Sequence, residues 1–249
     1  KKIMKSKGFT LTEILVVVSI IGILITILVP VVGRSKTKAK IAMARVQMTE
    51  LSAALISYKT DYGRYPMPSG IDPLLNGDVS FHIDFGDSYE NDGVIGILTN
   101  RDHPKNPKKN KYLDIKSSGQ PYSKQVPGLS TDGFYLDPFG NEYVITMDRN
   151  RDGLCFDNVY GRWAVSKGLT TGLVAKSWDA VNRKADDPNG NSSDFFAYQG
   201  EVMIWTAGPD GMASKTCEAF GSTADKDYDR SGEIDQGDLV NDDNILSWK

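Results

Sequence analysis

Two hydrophobic patterns follow one another in the first quarter of the chain. From Ile14 to Val32 no side chain carries a charge, and most are aliphatic. As an α-helix this apolar run covers about 28 Å, close to the ~30 Å hydrocarbon thickness of a bilayer, and it therefore predicts a membrane span. Lysines precede the run, as in an export signal, but it is longer than a signal-peptide core and no small-residue cleavage motif follows it. We expect the span to be retained.

After Gly33 the pattern changes to a single apolar stripe. Its members recur at alternating three- and four-residue steps, with charged and polar residues on the opposite side. They are Ile41, Ala44, Met48, Leu51, Leu55, Tyr58 and Tyr62. The stripe predicts one long helix from Phe9 to about Thr60, whose second half packs on a sheet. Gly63 and Pro66 are expected to end the helix.

Strand patterns occur in the second half of the chain. Aromatic and β-branched residues flank the segment from Asp137 to Gly140, which has the residues of a type I turn, so residues 134–147 predict a β-hairpin. A third strand is predicted from Glu201 to Thr206. Residues 67–133 are rich in Gly, Pro, Asn, Asp and Lys and show no comparable periodicity.

Composition and charge exclude some functions. The chain has 249 residues, a net charge of −3 and a pI near 5.5, which argues against a nucleic-acid-binding protein. Cys155 and Cys217 are its two cysteines, and outside the cytoplasm they could form a disulfide or remain two thiols. No Ser/His/Asp, Cys/His or paired-acid constellation indicates an enzyme.

One acidic residue stands at the beginning of the apolar run. An ionised Glu13 in a membrane is unfavourable by about 2.5–3.5 kcal/mol, so we expect it to have a partner or a function. The alternative is that Glu13 stays solvated among the lipid headgroups.

The residues around Glu13 resemble a known signal. Gly8-Phe9-Thr10-Leu11-Thr12-Glu13, followed by the apolar run, is similar to the class III signal of type IV pilins and of type II secretion pseudopilins. The resemblance implies that a prepilin peptidase cleaves between Gly8 and Phe9 and that Phe9 is then N-methylated. It also implies that Glu13 neutralises the terminal ammonium of a neighbouring subunit in a filament.

Motifs in the rest of the chain resemble the head of the major pseudopilin. These are Gly63-Arg64-Tyr65-Pro66, Asp137-Pro138-Phe139-Gly140-Asn141, Ala207-Gly208-Pro209-Asp210-Gly211 and the acidic segment before Trp248. The resemblance implies an α+β pilin fold, in which one long N-terminal α-helix packs on a small antiparallel β-sheet with long calcium-binding-like loops. We expect a leader (1–8), a transmembrane and filament-core helix (9–33), its amphipathic continuation (34–62) and an extracytoplasmic head (63–249) with insertions at 67–133 and 212–240.

The family resemblance also implies a calcium site. Transferred to this sequence, Asp210, Asp242 and Asp243 supply carboxylates and Ala207 a backbone carbonyl, which are the oxygen ligands that Ca²⁺ prefers. The alternative is a solvated acidic tail. The 212–240 insertion makes the loop between these ligands much longer than in the family.

A second calcium loop is predicted inside that insertion. Its residues follow the EF-hand spacing, with a glycine at the sixth position, although the last position is Asp rather than Glu. The candidate ligands are Asp227, Asp229, Ser231, Glu233, Asp235 and Asp238. A weaker third candidate, Asp148, Asn150 and Asp152, has only the first half of the pattern. We expect one or two Ca²⁺ ions.

These features predict a structural subunit of a type II secretion pseudopilus rather than an enzyme. Its expected partners are copies of itself, other pseudopilins, the prepilin peptidase, the inner-membrane assembly platform and membrane lipid before assembly. The expected location is the bacterial inner membrane, single pass, with a periplasmic head and assembly into a periplasmic filament. The alternatives are a type IV pilin for adhesion, motility or DNA uptake, and a membrane-anchored calcium-binding surface protein that does not polymerise.

Overall fold

The computed structural model describes residues 11–71, 78–82, 90–157, 160, 173–177, 194–209, 211 and 245–247. The chain divides into two compact units, residues 1–40 and 41–249. The elements are α1 (Leu11–Tyr62), β1 (Val79–Phe81), α2 (Asp92–Thr99), β2 (Gly128–Leu129), β3 (Tyr135–Leu136), β4 (Val144–Met147), β5 (Leu154–Cys155), β6 (Leu173–Ser177), β7 (Asp194–Gln199), β8 (Val202–Thr206) and β9 (Ile245–Leu246). A 3₁₀ turn covers Tyr122–Lys124.

The long helix predicted from the sequence is present as α1. It ends where Gly63 adopts a left-handed conformation (φ +68°) and donates its N–H to the carbonyl of Lys59 at 2.7 Å. Glycine enters this conformation without the steric penalty of a Cβ atom, so it stops the helix. Among the described residues, no helix is both long enough and apolar enough to cross a membrane.

The predicted stripe packs on a four-stranded antiparallel sheet of order β1-β4-β8-β9. Ala44, Met48, Leu51, Leu55 and Tyr58 are at most 1% exposed and belong to one core cluster with residues of all four strands. Ile41 and Tyr62, at the two ends of the stripe, are partly buried against the same cluster.

Both faces of the sheet are buried, with alternating side chains. On β8, Val202 and Ile204 face the α1 cluster, whereas Met203 and Trp205 belong to a second cluster with Cys155 and others. The period of two places successive side chains on opposite faces. The strand predicted at 201–206 is confirmed as β8.

Two smaller sheets and a short helix complete the described fold. One sheet pairs β2 with β3, and the other has the order β5-β7-β6. The apolar run of α2 was not predicted as a helix, although Val94, Ile95, Ile97 and Leu98 are fully buried in the α1 cluster. A long N-terminal helix with small antiparallel sheets is an α+β arrangement consistent with a pilin-like fold.

The predicted hairpin at 134–147 is present only in part. The turn forms, with the Gly140 N–H donating to the Asp137 carbonyl at 3.0 Å, and the Tyr143 N–H donates to the Tyr135 carbonyl at 3.2 Å. As a strand, however, β3 pairs with β2, and it meets the segment before β4 at an isolated bridge between Leu136 and Glu142. Asn91, which is fully buried, also contacts both segments. Its amide donates to the Tyr143 carbonyl at 2.9 Å, and its Oδ1 accepts from the Tyr135 N–H at 3.4 Å.

We predict that Leu51→Ala lowers the free energy of unfolding by about 2–5 kcal/mol, because it leaves a cavity in the centre of the α1 cluster. Val46→Ala, on the exposed side of the same helix, is the control and should change it by less than about 0.5 kcal/mol. Urea unfolding of the full chain in detergent, followed by tryptophan fluorescence, measures both. Equal effects of the two substitutions would contradict the packing described here.

Candidate functional site

The first half of α1 exposes a continuous apolar surface. Between Leu11 and Val32, the large apolar side chains that the structure describes are 42–81% exposed. Consecutive residues such as Val16, Val17 and Val18 are all exposed, so the surface is apolar on every side of the helix. A helix of this kind requires apolar surroundings on all sides, which lipid or other apolar helices can supply.

Two hydroxyl groups in this segment, those of Ser19 and Thr26, are satisfied by the helix itself. The Ser19 hydroxyl donates to the Leu15 carbonyl at 2.8 Å, and the Thr26 hydroxyl donates to the Ile23 carbonyl at 2.7 Å. These side chains therefore need no polar partner outside the helix, which suits a purely apolar environment.

Leu11, Thr12 and Glu13, the described part of the predicted signal, begin this helix. Glu13 is exposed in the first turn of α1, where a carboxylate interacts favourably with the helix dipole. Gly8 and Phe9, the two sides of the predicted cleavage site, lie outside the described residues.

The end of α1 is bound to a loop that sequence reasoning did not connect with it. This loop, residues 103–112, is called the helix-end clasp below. The Tyr58 hydroxyl donates to the Lys105 carbonyl at 2.6 Å, and the Tyr62 hydroxyl donates to Asn106 Oδ1 at 2.8 Å. The clasp therefore binds the last turn of the helix by contacts about 45 residues apart in sequence.

Asp61 is the centre of the charged part of this contact. Its carboxylate accepts from Lys108 Nζ at 2.8 Å, from the Tyr112 hydroxyl at 2.6 Å and from the Asn110 amide at 3.0 Å. The hydrogen bonds from Lys108 and Tyr112 lower the pKa of Asp61 to about 2. The sequence pattern indicated no partner for Asp61, because residues 67–133 showed only an abundance of Lys and other polar residues.

The turn after the helix is also held. Tyr65 is buried, and its hydroxyl donates to the Glu201 carbonyl at 2.9 Å. Lys59 Nζ donates to the same hydroxyl at 3.0 Å and forms an ion pair with the Glu201 carboxylate at 3.2 Å. The Gly-x-Tyr-Pro motif thus connects the end of α1 to the residue before β8.

The first predicted calcium position is described only in part. Ala207 follows β8 directly, whereas Asp210, Asp242 and Asp243 lie outside the described residues. Thr206 lies opposite Ile245 in the antiparallel β8–β9 pair, so the chain leaves β8 and enters β9 at the same end of the sheet.

The predicted turn at 137–140 is attached to this end of the sheet. Asp137 is fully buried, and its carboxylate accepts from the Thr206 hydroxyl at 2.9 Å. The Asn141 amide donates to the Gly208 carbonyl at 2.6 Å, in the loop that follows Ala207. Burial raises the pKa of Asp137 above its usual range.

The second predicted calcium loop, at Asp227, Asp229, Ser231, Glu233, Asp235 and Asp238, lies outside the described residues. So does Cys217, one half of the predicted disulfide. Cys155 is a fully buried thiol whose Sγ donates to the Thr146 carbonyl at 3.3 Å, and burial raises its pKa.

The third candidate loop is described completely. Asp148 is 2% exposed, and its two carboxylate oxygens accept from the N–H groups of Arg151 at 2.7 Å and Gly153 at 3.0 Å. Asn150 Oδ1 accepts from the Asp152 N–H at 3.0 Å. In the part of the chain that the structure describes, no group of three or more His, Cys, Asp or Glu residues is arranged to hold a metal ion.

Asp78, at the beginning of β1, is attached to the same loop. Its carboxylate accepts from the Phe156 N–H at 2.6 Å and from the Arg149 N–H at 3.3 Å. Burial, together with the charges of Asp148 and Asp152, raises the pKa of Asp78 to about 7. No sequence signal pointed to this residue.

Comparison with known proteins identifies the family of the chain. The family model of the prokaryotic N-terminal methylation motif matches residues 3–29, and that of type II secretion system protein G matches residues 31–123. The chain is 31% identical over 163 residues to type II secretion system core protein G of Pseudomonas aeruginosa. That alignment covers 64% of this chain and 96% of the relative. The chain belongs to the core protein G family.

Other members of the core protein G family align over most of their length. The core protein G of Vibrio cholerae is 34% identical over 134 residues, which cover 53% of this chain and 86% of the relative. That of Klebsiella michiganensis is 34% identical over 138 residues, covering 51% and 89%. No solved structure matches the chain significantly.

Asp61 predicts a specific dependence of stability on pH. Its pKa is lower in the folded state than in the unfolded chain, so its stabilising contribution is complete above about pH 4 and is lost as the pH falls towards 2. Asp61→Asn should remove this part of the profile and also weaken the clasp at neutral pH. Thermal unfolding of the full chain in detergent between pH 2 and 7 measures it.

The matched control is Asp102→Asn, an exposed acid of the preceding loop that pairs with Lys109. In this variant, stability should fall as the pH decreases from about 4 towards 2, as in the wild type. If both variants lost this pH dependence equally, a particular role of Asp61 would be contradicted.

Proposed function

We propose that this member of the core protein G family is a structural subunit of a type II secretion pseudopilus and that it assembles through the apolar half of α1. The observation that carries this proposal is the apolar surface from Leu11 to Val32, exposed on every side of the helix. An enzyme or an isolated soluble domain has no use for such a surface, whereas a filament core buries it completely.

The proposed sequence of events begins in the membrane. We propose that the run from Ile14 to Val32 spans the bacterial inner membrane once, with the head in the periplasm. The run carries no charge, and as a helix it covers about 28 Å, close to the ~30 Å hydrocarbon thickness. A prepilin peptidase cleaves between Gly8 and Phe9, Phe9 is N-methylated, and the inner-membrane assembly platform moves the subunit into a periplasmic filament. There the apolar helix contacts copies of itself and other pseudopilins.

Glu13 is proposed to select the register of this assembly. Its exposed carboxylate lies in the first turn of α1, four residues after the proposed new N-terminus, which would carry a positive charge after cleavage. In an apolar core an uncompensated charge is strongly unfavourable, so the carboxylate of one subunit and the ammonium of another stabilise each other. A subunit that lacks Glu13 would bury an unpaired ammonium.

We also propose that Ca²⁺ orders loops of the head. Two observations support a site formed by Ala207, Asp210, Asp242 and Asp243. The β8–β9 register brings the two ends of the connecting segment together, and the Asn141 amide binds the Gly208 carbonyl. If the three carboxylates meet there, a cation would relieve their mutual repulsion. The Asp227–Asp238 loop would hold a second ion, and the compact loop at Asp148, Asn150 and Asp152 is the third candidate.

One test of the proposed function concerns secretion. Deletion of the gene should abolish export of the proteins that the secretion system releases and leave sheared surface filaments unchanged. Complementation with the wild type should restore export, whereas Glu13→Ala should not, because the filament would bury an unpaired ammonium. Glu50→Ala removes an exposed acid from the same helix outside the apolar run and should restore export fully.

Two results would contradict this function. Loss of surface filaments with normal export would identify the protein as a type IV pilin. Full complementation by Glu13→Ala would indicate an anchored head that does not polymerise.

A separate test concerns the proposed binding of calcium. At about a hundred times its dissociation constant, bound Ca²⁺ should add about 2.7 kcal/mol to the stability, which raises the melting temperature of the full chain in detergent by about 5–10 °C relative to chelator. The double variant Asp242→Asn/Asp243→Asn should lose this shift. The charge-matched control Asp102→Asn/Asp114→Asn should keep it.

A melting temperature that is the same in millimolar Ca²⁺ and in chelator would exclude a structural calcium ion. A residual shift in the Asp242/Asp243 variant that disappears on adding Asp227→Asn/Asp229→Asn would assign the remaining ion to the second loop.

A further inference from the structure

A group of basic residues follows the apolar run directly. Arg34, Lys36, Lys38 and Lys40, called the basic collar below, are all exposed on α1. The nearest acidic residues in the sequence are Glu13 and Glu50, so no acid lies in the same part of the helix. The collar is therefore a concentrated positive charge at one end of the apolar segment.

The spacing of the collar distributes the charge around the helix. A step of two residues rotates a helix position by about 200°, so successive cations lie on opposite sides. Arg34 and Lys38 share one side, and Lys36 and Lys40 share the other, in i,i+4 pairs of like charge that repel each other without counter-ions. A partner protein that docks on one face of the helix would meet only half of these cations.

The axial position of the collar matches a lipid headgroup layer. Arg34 to Lys40 covers about 9 Å along the helix. The polar region of one leaflet is roughly 5–8 Å thick and begins where the hydrocarbon ends. If Ile14 to Val32 spans the hydrocarbon, the collar begins in the headgroup layer of the leaflet on the head side.

Cleavage at the proposed site would make the collar more important. The leader carries Lys1, Lys2, Lys5 and Lys7, and all four are removed by a cut after Gly8. Between Phe9 and Gly33 there is no basic residue. In the processed chain, the attraction to an anionic membrane surface next to the span comes from the collar.

We propose that the basic collar binds the headgroups of anionic phospholipids in the leaflet that faces the head, and so holds the subunit in the bilayer until it enters the filament. This inference rests on the proposed membrane span. A surrounding layer of anionic headgroups contacts both sides of the helix at once, as the distribution of the cations requires. Each cation near an anionic surface increases the preference for anionic over neutral lipid by about fivefold, and salt screens this attraction.

The test uses the full chain in vesicles of phosphatidylcholine and in vesicles of a three-to-one mixture of phosphatidylcholine and phosphatidylglycerol. Lipids that remain bound are counted by native mass spectrometry, and the enrichment is the ratio of bound phosphatidylglycerol to bound phosphatidylcholine divided by the same ratio in the bilayer. Lys36→Gln/Lys38→Gln removes one cation from each side of the helix. Lys109→Gln/Lys111→Gln is the matched control, because both lysines are paired with exposed acids of the head.

We expect the wild type and the control to be enriched in phosphatidylglycerol at low salt. The enrichment should fall at least about fivefold in Lys36→Gln/Lys38→Gln and should fall for the wild type at high salt. Enrichment that is unchanged in the collar variant, or lost equally in the control, would overturn the proposal.

The proposed span has a separate readout. If the full chain is washed from phosphatidylcholine vesicles at alkaline pH, the membrane span itself is wrong. If the chain stays inserted without any preference for phosphatidylglycerol, only the role of the collar is wrong.

Discussion

The packing of the α1 stripe on the sheet is the contact on which the rest of the structure depends. Leu51, Leu55 and Tyr58 are buried against β1, β4 and β8, so the second half of the helix is an integral part of the head core. The first half belongs to the same helix, and the large apolar side chains that the structure describes there are exposed.

The end of the helix determines how firmly the head holds it. The helix-end clasp and the Tyr65 turn contact α1 through Asp61, Tyr58, Tyr62 and Lys59 with hydrogen bonds and ion pairs. Each exposed ion pair contributes little by itself, but several partners on one carboxylate share the entropic cost of ordering.

Assembly exchanges one apolar environment for another. A helix that leaves lipid for a core of similar helices gains little from the hydrophobic effect, because lipid chains are as apolar as its neighbours. Polar interactions then decide the balance. In the proposed assembly, Glu13 would favour the filament by pairing with a terminal ammonium, whereas the basic collar would favour the bilayer through anionic headgroups. The two groups lie at opposite ends of the same apolar run and act in opposite directions.

Local sequence patterns determined the long helix with its two apolar patterns, the end of the helix at Gly63 and the strand at 202–206. Local motifs also indicated the membership in the pseudopilin family. These features depend on neighbouring residues, whose periodicity and turn chemistry can be read directly. The tertiary structure decided that the segment at 94–98 is a helix, because a short buried apolar run suits either a helix or a strand. It also placed the Asn91 side chain beside Tyr135 and Tyr143, and Asp78 beside the Asp148 loop. The contact between the helix-end clasp and Asp61 is likewise a result of the tertiary structure. Those contacts join residues about 45 to 80 positions apart, and only the packing of the sheet on α1 brings them together.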